Sequence, residues 1–299
     1  MNTQEKKIKL SVCVITYNHE KYIRQCLQSI VDQNVDFNYE IIVGEDCSSD
    51  GTRLIVQEFE KKYPEIVRPI YQVKNIDGGS YNYLSVHAAA RGEYIAHIDG
   101  DDYCLPGKLK AQVELLDSDP SCNIVFHRMK GLKPSGEIVK DNFLDEMKIS
   151  DYKFCRAEIL RYMAIGMHSS KMYRRKNNDF EIPDFPVIDY FLNVEHIKEG
   201  HARFVGNEYL GVYRIGGGLA TSGIKSRMIL AKTFIYFSKK YPQFHPEINV
   251  AALTYFLADL KNKRKTWIIF FKVWLGTFSW KSIPMFFNGL KFIRQLRIG

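Results

Sequence analysis

Cysteine is sparse and scattered in this chain. There are six in 299 residues, none forms a Cys-x-x-Cys pair, and Cys13 and Cys26 lie inside apolar runs. Such spacing speaks against a disulfide framework or a thiolate metal site and fits a reducing cytoplasm. No Gly-x-Gly-x-x-Gly follows a strand pattern and no Walker A sequence occurs, so neither a dinucleotide dehydrogenase nor a P-loop NTPase is supported. Internal repeats and low-complexity tracts are missing too. The opening, Met1 to Lys9, is polar and charged, so no signal peptide is expected.

Acidic residues are missing from one stretch. From Lys261 to Gly299 there are nine Lys or Arg and no Asp or Glu. The chain as a whole carries +8, so the 260 residues before this tail carry a formal −1, the difference between +8 and +9. All three tryptophans (Trp267, Trp274, Trp280) lie in the tail beside six phenylalanines. Its apolar fraction is too high for a nucleic-acid module. An interfacial anchor is expected instead, with aromatic rings at the headgroup boundary and cations against anionic lipid. Lys272 interrupts the apolar stretch between Lys265 and Lys281, leaving less than the roughly 18–20 residues a membrane span requires. The alternative is that these helices pack on the core or form a homo-oligomer interface.

Three segments share one design. Leu10 to Ile15 is apolar and β-branched, then breaks into Thr16-Tyr17-Asn18-His19. Tyr39 to Val43 breaks into Gly44-Glu45-Asp46-Cys47-Ser48-Ser49-Asp50-Gly51-Thr52, and Tyr94 to Ile98 into Asp99-Gly100-Asp101-Asp102. Helical periodicity follows the first two, through Tyr22, Leu27, Ile30 and Val31 and through Leu54, Ile55 and Phe59, with Ser49 or Asp50 as N-cap of the second helix. Alternating strands and helices predict an α/β fold with a mostly parallel sheet covered on both faces. Ligands of such sheets sit outside the carboxyl ends of the strands, which would line Tyr17, Asn18, Asp46, Asp99 and Asp101 along one rim. Carboxylates crowded as in Asp99-Gly100-Asp101-Asp102 repel one another and need a cation or strong donors. A magnesium-type ion suits them, taking one or two carboxylates and completing its shell with phosphate and water.

These motifs resemble those of the family 2 inverting glycosyltransferases of GT-A fold. Ser11-Val12-Cys13-Val14-Ile15-Thr16-Tyr17-Asn18 is similar to their opening, without its proline. Glu40 to Thr52 is similar to their second element, with Glu45-Asp46-Cys47 where Asp-Asp-Gly is common. Ala89-Ala90-Arg91-Gly92-Glu93-Tyr94 followed by the acidic triplet matches the third, the DXD motif. The resemblance covers about the first 125 residues. It implies a nucleotide-sugar-binding set of Thr16, Tyr17, Asn18, Asp46, Asp99 and Gly100. Thr16, Tyr17 and Asp46 would hold base and ribose, Asp101 would ligate Mn²⁺ or Mg²⁺ directly, and Asp99 would touch ribose or metal.

Downstream the likeness is looser. Met167 to Arg175 resembles the family's acceptor-side strand, and Pro186-Val187-Ile188-Asp189-Tyr190-Phe191-Leu192 the start of an acceptor-side helix. The resemblance points to Asp189 as general base, with Asp184 as rival. Flanked by Ile188 and Phe191, Asp189 is expected in a partly apolar pocket that tunes its proton affinity upward. Where the family often carries Tyr-Arg-x-His, this chain reads Tyr213-Arg214-Ile215-Gly216-Gly217-Gly218. A histidine metal donor at that position is therefore expected to be lacking.

The expected organisation is a GT-A domain over 1–222, its nucleotide-sugar half 1–125 and acceptor half 126–222. A helical region follows over 223–299, basic and aromatic from about 261. The expected activity is metal-dependent hexosyl or N-acetylhexosaminyl transfer from a nucleoside-diphosphate sugar, UDP-sugar favoured. The acceptor would be a lipid-linked hydroxyl in cell-surface polysaccharide synthesis, at the inner face of the membrane. The alternatives are a nucleotidyltransferase and an inactive sugar-nucleotide binding module.

Overall fold

The computed structural model describes residues 7–75, 79–140, 151–163, 165–216 and 223–295. Gly217, Gly218, Arg297 and the expected boundary at residue 222 lie outside them. The chain divides into two compact units. The first holds Met1–Lys153, Gly166–Glu181 and His196–Leu219; the second holds Phe154–Ile165, Ile182–Glu195 and Ala220–Gly299. Two short segments before residue 222 thus group with the C-terminal helices.

The first unit is built on one nine-stranded sheet. Strand β1 (Leu10–Thr16) leads to helix α1 (Ile23–Val31), and β2 (Tyr39–Glu45) to α2 (Thr52–Lys62). Then come β3 (Val67–Tyr71), α3 (Ser80–Ala88), β4 (Tyr94–Asp99), β5 (Tyr103–Cys104), α4 (Lys108–Ser118), β6 (Cys122–Leu132) and β7 (Ile138–Val139). Helix α5 (Arg156–Tyr162) belongs to the second unit, β8 (Met172–Arg174) to the first. Helix α6 (Asp189–His196) lies in the second unit except for His196, and β9 (His201–Arg214) closes the first. The strand order is β3-β2-β1-β4-β8-β6-β9-β5, with β7 paired to β6. The longer ladders, β1 with β2 and β4, β2 with β3, and β6 with β9, are parallel, while β8 runs antiparallel to both its neighbours. This is a GT-A-like α/β fold.

The parallel strands are largely apolar because both faces are covered. Leu10, Val12, Val14, Ile41, Val43, Tyr94, Ala96 and Ile98 are buried in one cluster with Ile23, Leu27 and Ile30 of α1 and Val56 and Phe59 of α2. The period expected for α1 holds, with Tyr22 standing just before its first turn. In α2 the expectation for Leu54 fails, since it is exposed and Val56 takes the core position. The N-cap position of α2 is Gly51, yet Asp50 still serves the helix end, as its Oδ1 accepts from Thr52 N–H at 3.0 Å. Register fixes the rim: Thr16 stands opposite Glu45, and Ile15 opposite Asp99.

The second unit continues with α7 (Ile224–Lys240), α8 (His245–Lys261), α9 (Trp267–Gly276) and α10 (Ser282–Gln295). Helix α8 is its hub, touching α5, α7, α9 and α10. Phe234 and Tyr255 meet Phe270 at 6.0 and 5.2 Å between ring centres. Asp259, fully buried, accepts from Thr266 Oγ1 at 2.7 Å and pairs with Arg227. The tail therefore packs through one face of α9, that of Phe270 and Val273, while Ile268, Leu275, Phe278 and Trp280 stay exposed. Among the described residues no helix is long and apolar enough to cross a membrane.

Candidate functional site

The rim at the carboxyl ends of β1, β2 and β4 carries seven of the expected residues. Thr16 ends β1, buried, with its Oγ1 3.3 Å from His19 Nδ1 and its carbonyl accepting from Asp46 N–H at 3.0 Å. Tyr17 follows at 39 % exposure. Asn18 takes a left-handed conformation (φ 53°). Its Oδ1 accepts from Ser49 N–H at 2.9 Å, and its N–H donates to Ser48 Oγ at 3.0 Å, so it clamps the loops after β1 and β2 together. Asp46 is buried, and Asn75 Nδ2 donates to its Oδ2 at 2.9 Å. Its neighbour Glu45 is fully buried, accepting from Arg53 Nε at 2.5 Å and Ser48 N–H at 2.6 Å.

The acidic triplet closes β4. Gly100 N–H donates to Ile15 O at 2.8 Å, tying the turn to β1. Asp102 is buried with Oδ1 accepting from Arg214 N–H at 2.9 Å, while its Oδ2 has no hydrogen-bond partner among the described residues. Burial raises the proton affinity of Asp102 well above the usual carboxylate range, and the charges of Asp99 and Asp101 add to it. Burial raises Asp101 as well, against the opposing influence of His19. Concentrated, poorly solvated negative charge of this kind is what a divalent cation offsets. The donor set therefore fits Mn²⁺ or Mg²⁺ bound through Asp101 and Asp99.

Asp99 behaves differently. Burial pushes its carboxyl up, but His168 and His97 outweigh that and hold it well below the usual range. His97 Nε2 lies 3.1 Å from Asp99 Oδ1, and His168 Nδ1 lies 3.6 Å from Oδ2. Ser169 Oγ accepts from Asp99 N–H at 2.9 Å. His97 is itself fully buried, which, followed by the charge of His168, pushes it down to about 3. These histidines stand beside the acidic triplet although the stretch after Tyr213 supplies none. They come from β4 itself and from the turn before β8, not from the stretch after Tyr213. His97, two positions before Asp99 on a strand, shares that residue's face, but in sequence it reads as part of a buried run. No sequence signal marked His168, which β8 carries to β4 by antiparallel pairing.

Arg214 also joins the rim. Its guanidinium lies over the rings of Tyr22 and Tyr103 at 4.7 and 5.5 Å and bonds Gln25 Oε1. Asp189, by contrast, belongs to the second unit. It opens α6 as expected, but the partly apolar pocket is not found, because Val187, Tyr190 and Phe191 take the buried face and leave Asp189 exposed. Asp184 is exposed too.

A model of glycosyl transferase family 2 matches residues 11–180. An uncharacterized protein of Mycobacterium tuberculosis (strain ATCC 25618 / H37Rv) is 34% identical over 207 residues, 69% of this chain and 58% of that protein. The chain thus spans less than two thirds of that relative's length. The poly(ribitol-phosphate) beta-N-acetylglucosaminyltransferase TarS of Staphylococcus aureus (strain Mu50 / ATCC 700699) is 34% identical over 133 residues, 43% of this chain and 22% of its own. The crystal structure of S. aureus TarS 1-349 in complex with UDP-GlcNAc superposes with a TM-score of 0.72 over 97% of this chain and 87% of that one, at 18% identity. A mannosyltransferase of Pyrobaculum calidifontis in complex with GDP-Man and Mn²⁺ gives 0.61 over 96% and 81%, at 17% identity.

Proposed function

The chain belongs to glycosyl transferase family 2, and on that footing we propose that it transfers a hexosyl or N-acetylhexosaminyl group from a UDP-sugar to a hydroxyl acceptor. The anomeric centre inverts, and a divalent cation is required. The observation that carries this reading is the buried pair Asp101 and Asp102 with half-buried Asp99 beside them, level with Thr16 and Asp46 at the strand ends. Tyr17 stacks on the base, and Asp46 accepts hydrogen bonds from it. Bound at Asp101 and Asp99, Mn²⁺ or Mg²⁺ would neutralise charge on the departing diphosphate. Arg214 adds a fixed cation on the same rim. Asp189, on the strength of its motif, takes the proton from the acceptor hydroxyl as that oxygen attacks the anomeric carbon. A direct displacement of this kind inverts configuration.

The acceptor we propose is a lipid-linked saccharide of cell-surface polysaccharide, met at the cytoplasmic face of a membrane. The exposed apolar side chains of α9 and the basic tail support that placement. The relatives' donors differ in base, UDP-GlcNAc for TarS and GDP-Man for the mannosyltransferase, so the assay presents both classes.

Purified chain incubated with Mn²⁺ and each sugar nucleotide should release nucleoside diphosphate. Release of pyrophosphate would mark a nucleotidyltransferase, and binding without turnover an inactive module. Asp101→Asn keeps volume but removes charge, so transfer should be abolished in a folded protein; near wild-type turnover at saturating donor and Mn²⁺ would overturn the metal assignment. Asp189→Asn should lower transfer by about 10²-fold or more, as loss of a general base does, with donor affinity unchanged. If Asp184→Asn gives that phenotype instead, the base is Asp184.

A further inference from the structure

His97, Asp99 and His168 bring three ligand atoms within 4.8 Å of one another. Asp99 reaches the two imidazoles through different carboxylate oxygens, 3.1 Å from Oδ1 to His97 Nε2 and 3.6 Å from Oδ2 to His168 Nδ1. Asp99 keeps 28 % of its side chain exposed and His168 15 %, so the cluster is open to solvent on their side.

Behind His97 runs a buried hydrogen-bonded chain. His97 Nδ1 lies 3.0 Å from His87 Nε2, His87 Nδ1 lies 2.8 Å from the Tyr173 hydroxyl, and Tyr173 donates to Asn178 Oδ1 at 3.2 Å. The protons along this chain are linked. If Tyr173 gives its single proton to Asn178, its oxygen must accept from His87 Nδ1–H. His87 Nε2 must then accept from His97 Nδ1–H, which leaves His97 Nε2 with a lone pair facing Asp99 Oδ1. A lone pair and a carboxylate oxygen at 3.1 Å repel unless a cation lies between them. In the opposite arrangement His97 offers an N–H to Asp99, and Tyr173 donates to His87. A metal ion selects the first arrangement, and the chain then acts as the outer shell that orients a metal-binding imidazole.

We propose that His97, Asp99 and His168 form a binding site for an imidazole-preferring divalent ion of the zinc or cobalt class, beside the cation expected at Asp101 and sharing Asp99 with it. Two imidazoles and one carboxylate favour such ions over Mg²⁺ and Ca²⁺, which take oxygen ligands. Three protein ligands with an open position are the arrangement of sites that also bind water or substrate oxygen.

Titrating the untagged full chain with Co²⁺, with neither donor nor acceptor present, tests this separately from the transferase reading. Visible absorption of the bound ion and calorimetry are the readouts. One ion per chain should bind, and a hundredfold excess of Mg²⁺ should not displace it. His168→Ala, a change at a partly exposed position, should weaken binding by at least about 100-fold, while thermal unfolding shows the variant still folded. His87→Phe, which breaks the outer shell, should weaken binding by about 10–100-fold, and Asp101→Asn should retain it. Wild-type protein that binds no Co²⁺, unchanged binding in His168→Ala, or binding lost only in Asp101→Asn would each overturn the proposal.

Discussion

A Cβ on Gly100 would lie 2.8 Å from Thr16 Cβ and Oγ1 and 3.0 Å from Ile15 O, so the residue that splits the acidic run is set by its contact with β1. Gly100→Ala must push the ends of β1 and β4 apart. A cost of about 1–3 kcal/mol is expected, as for other overpacked positions, together with weaker donor binding; urea unfolding and donor titration measure the two. Cys47 shows the opposite compromise. It adopts φ 59° at the position where the resemblance places glycine, a conformation that costs an L-residue about 1–2 kcal/mol. The acids at the rim were legible in the sequence because each ends an apolar strand, and strand ends are where such sheets bind ligands. The histidines around Asp99 were hidden for two reasons. His97 reads as one more residue of a buried run, and His168 is brought to Asp99 only by the pairing of β8 with β4. The environment of Asp189 is not legible in the sequence, because its apolar neighbours lie on a different face of the helix turn.

The elements of the sheet are fastened at the end away from the acids. Glu40, near the start of β2, is buried and accepts from Ser11 Oγ on β1 at 2.7 Å. It also accepts from Arg91 Nη2 at 2.8 Å and Arg68 Nη1 at 2.6 Å. One carboxylate thus links β1, β2, β3 and the approach to β4. Burial acts to raise its proton affinity, but Ser11 and the two arginines prevail and lower it. A lowered carboxyl contributes stability that is complete above its unfolded value, about 4.3, and is lost as pH falls through the folded value. Glu40→Gln is expected to cost about 2 kcal/mol at neutral pH, less than a fully buried pair because both arginines reach solvent. Its stability should also fall less steeply below pH 4 than that of the wild type. Urea midpoints at pH 7 and pH 4 would show both effects, and equal losses for the two proteins on acidification would contradict this role.

Over the whole molecule, the net positive charge is segregated into the last 39 residues, and the sequence showed this plainly. It did not show which aromatic side chains face outward. Trp267, Phe271 and Trp274 gather around Phe256 at 6.1, 5.2 and 6.2 Å, whereas Trp280 is 78 % exposed. Composition places aromatic residues in a tail; only helix packing sorts them into faces. If the tail attaches to membrane, the side chains that matter are Ile268, Leu275 and Trp280. Attraction to anionic lipid, about 1 kcal/mol per basic residue near the surface, is screened by salt, and apolar insertion is not. Binding to anionic liposomes should therefore weaken with salt without vanishing, and replacing those three side chains by Ser should release the protein even at low salt. Cosedimentation that is unchanged by the triple substitution would remove the anchor reading.

The thiols of the chain are unequal in a way that offers a chemical handle. Cys13, Cys26, Cys104 and Cys122 are buried, leaving Cys47 half-buried and Cys155 exposed. An alkylating reagent should therefore label two positions in the native protein. Cys47 adjoins Asp46, whereas Cys155 lies in the second unit. A bound sugar nucleotide should slow modification of Cys47 while Cys155 reacts at its former rate, giving each wild-type molecule an internal reference for occupancy. Peptide mass mapping after brief exposure to iodoacetamide reads both rates from one sample, and equal protection of the two cysteines would show that the nucleotide binds elsewhere.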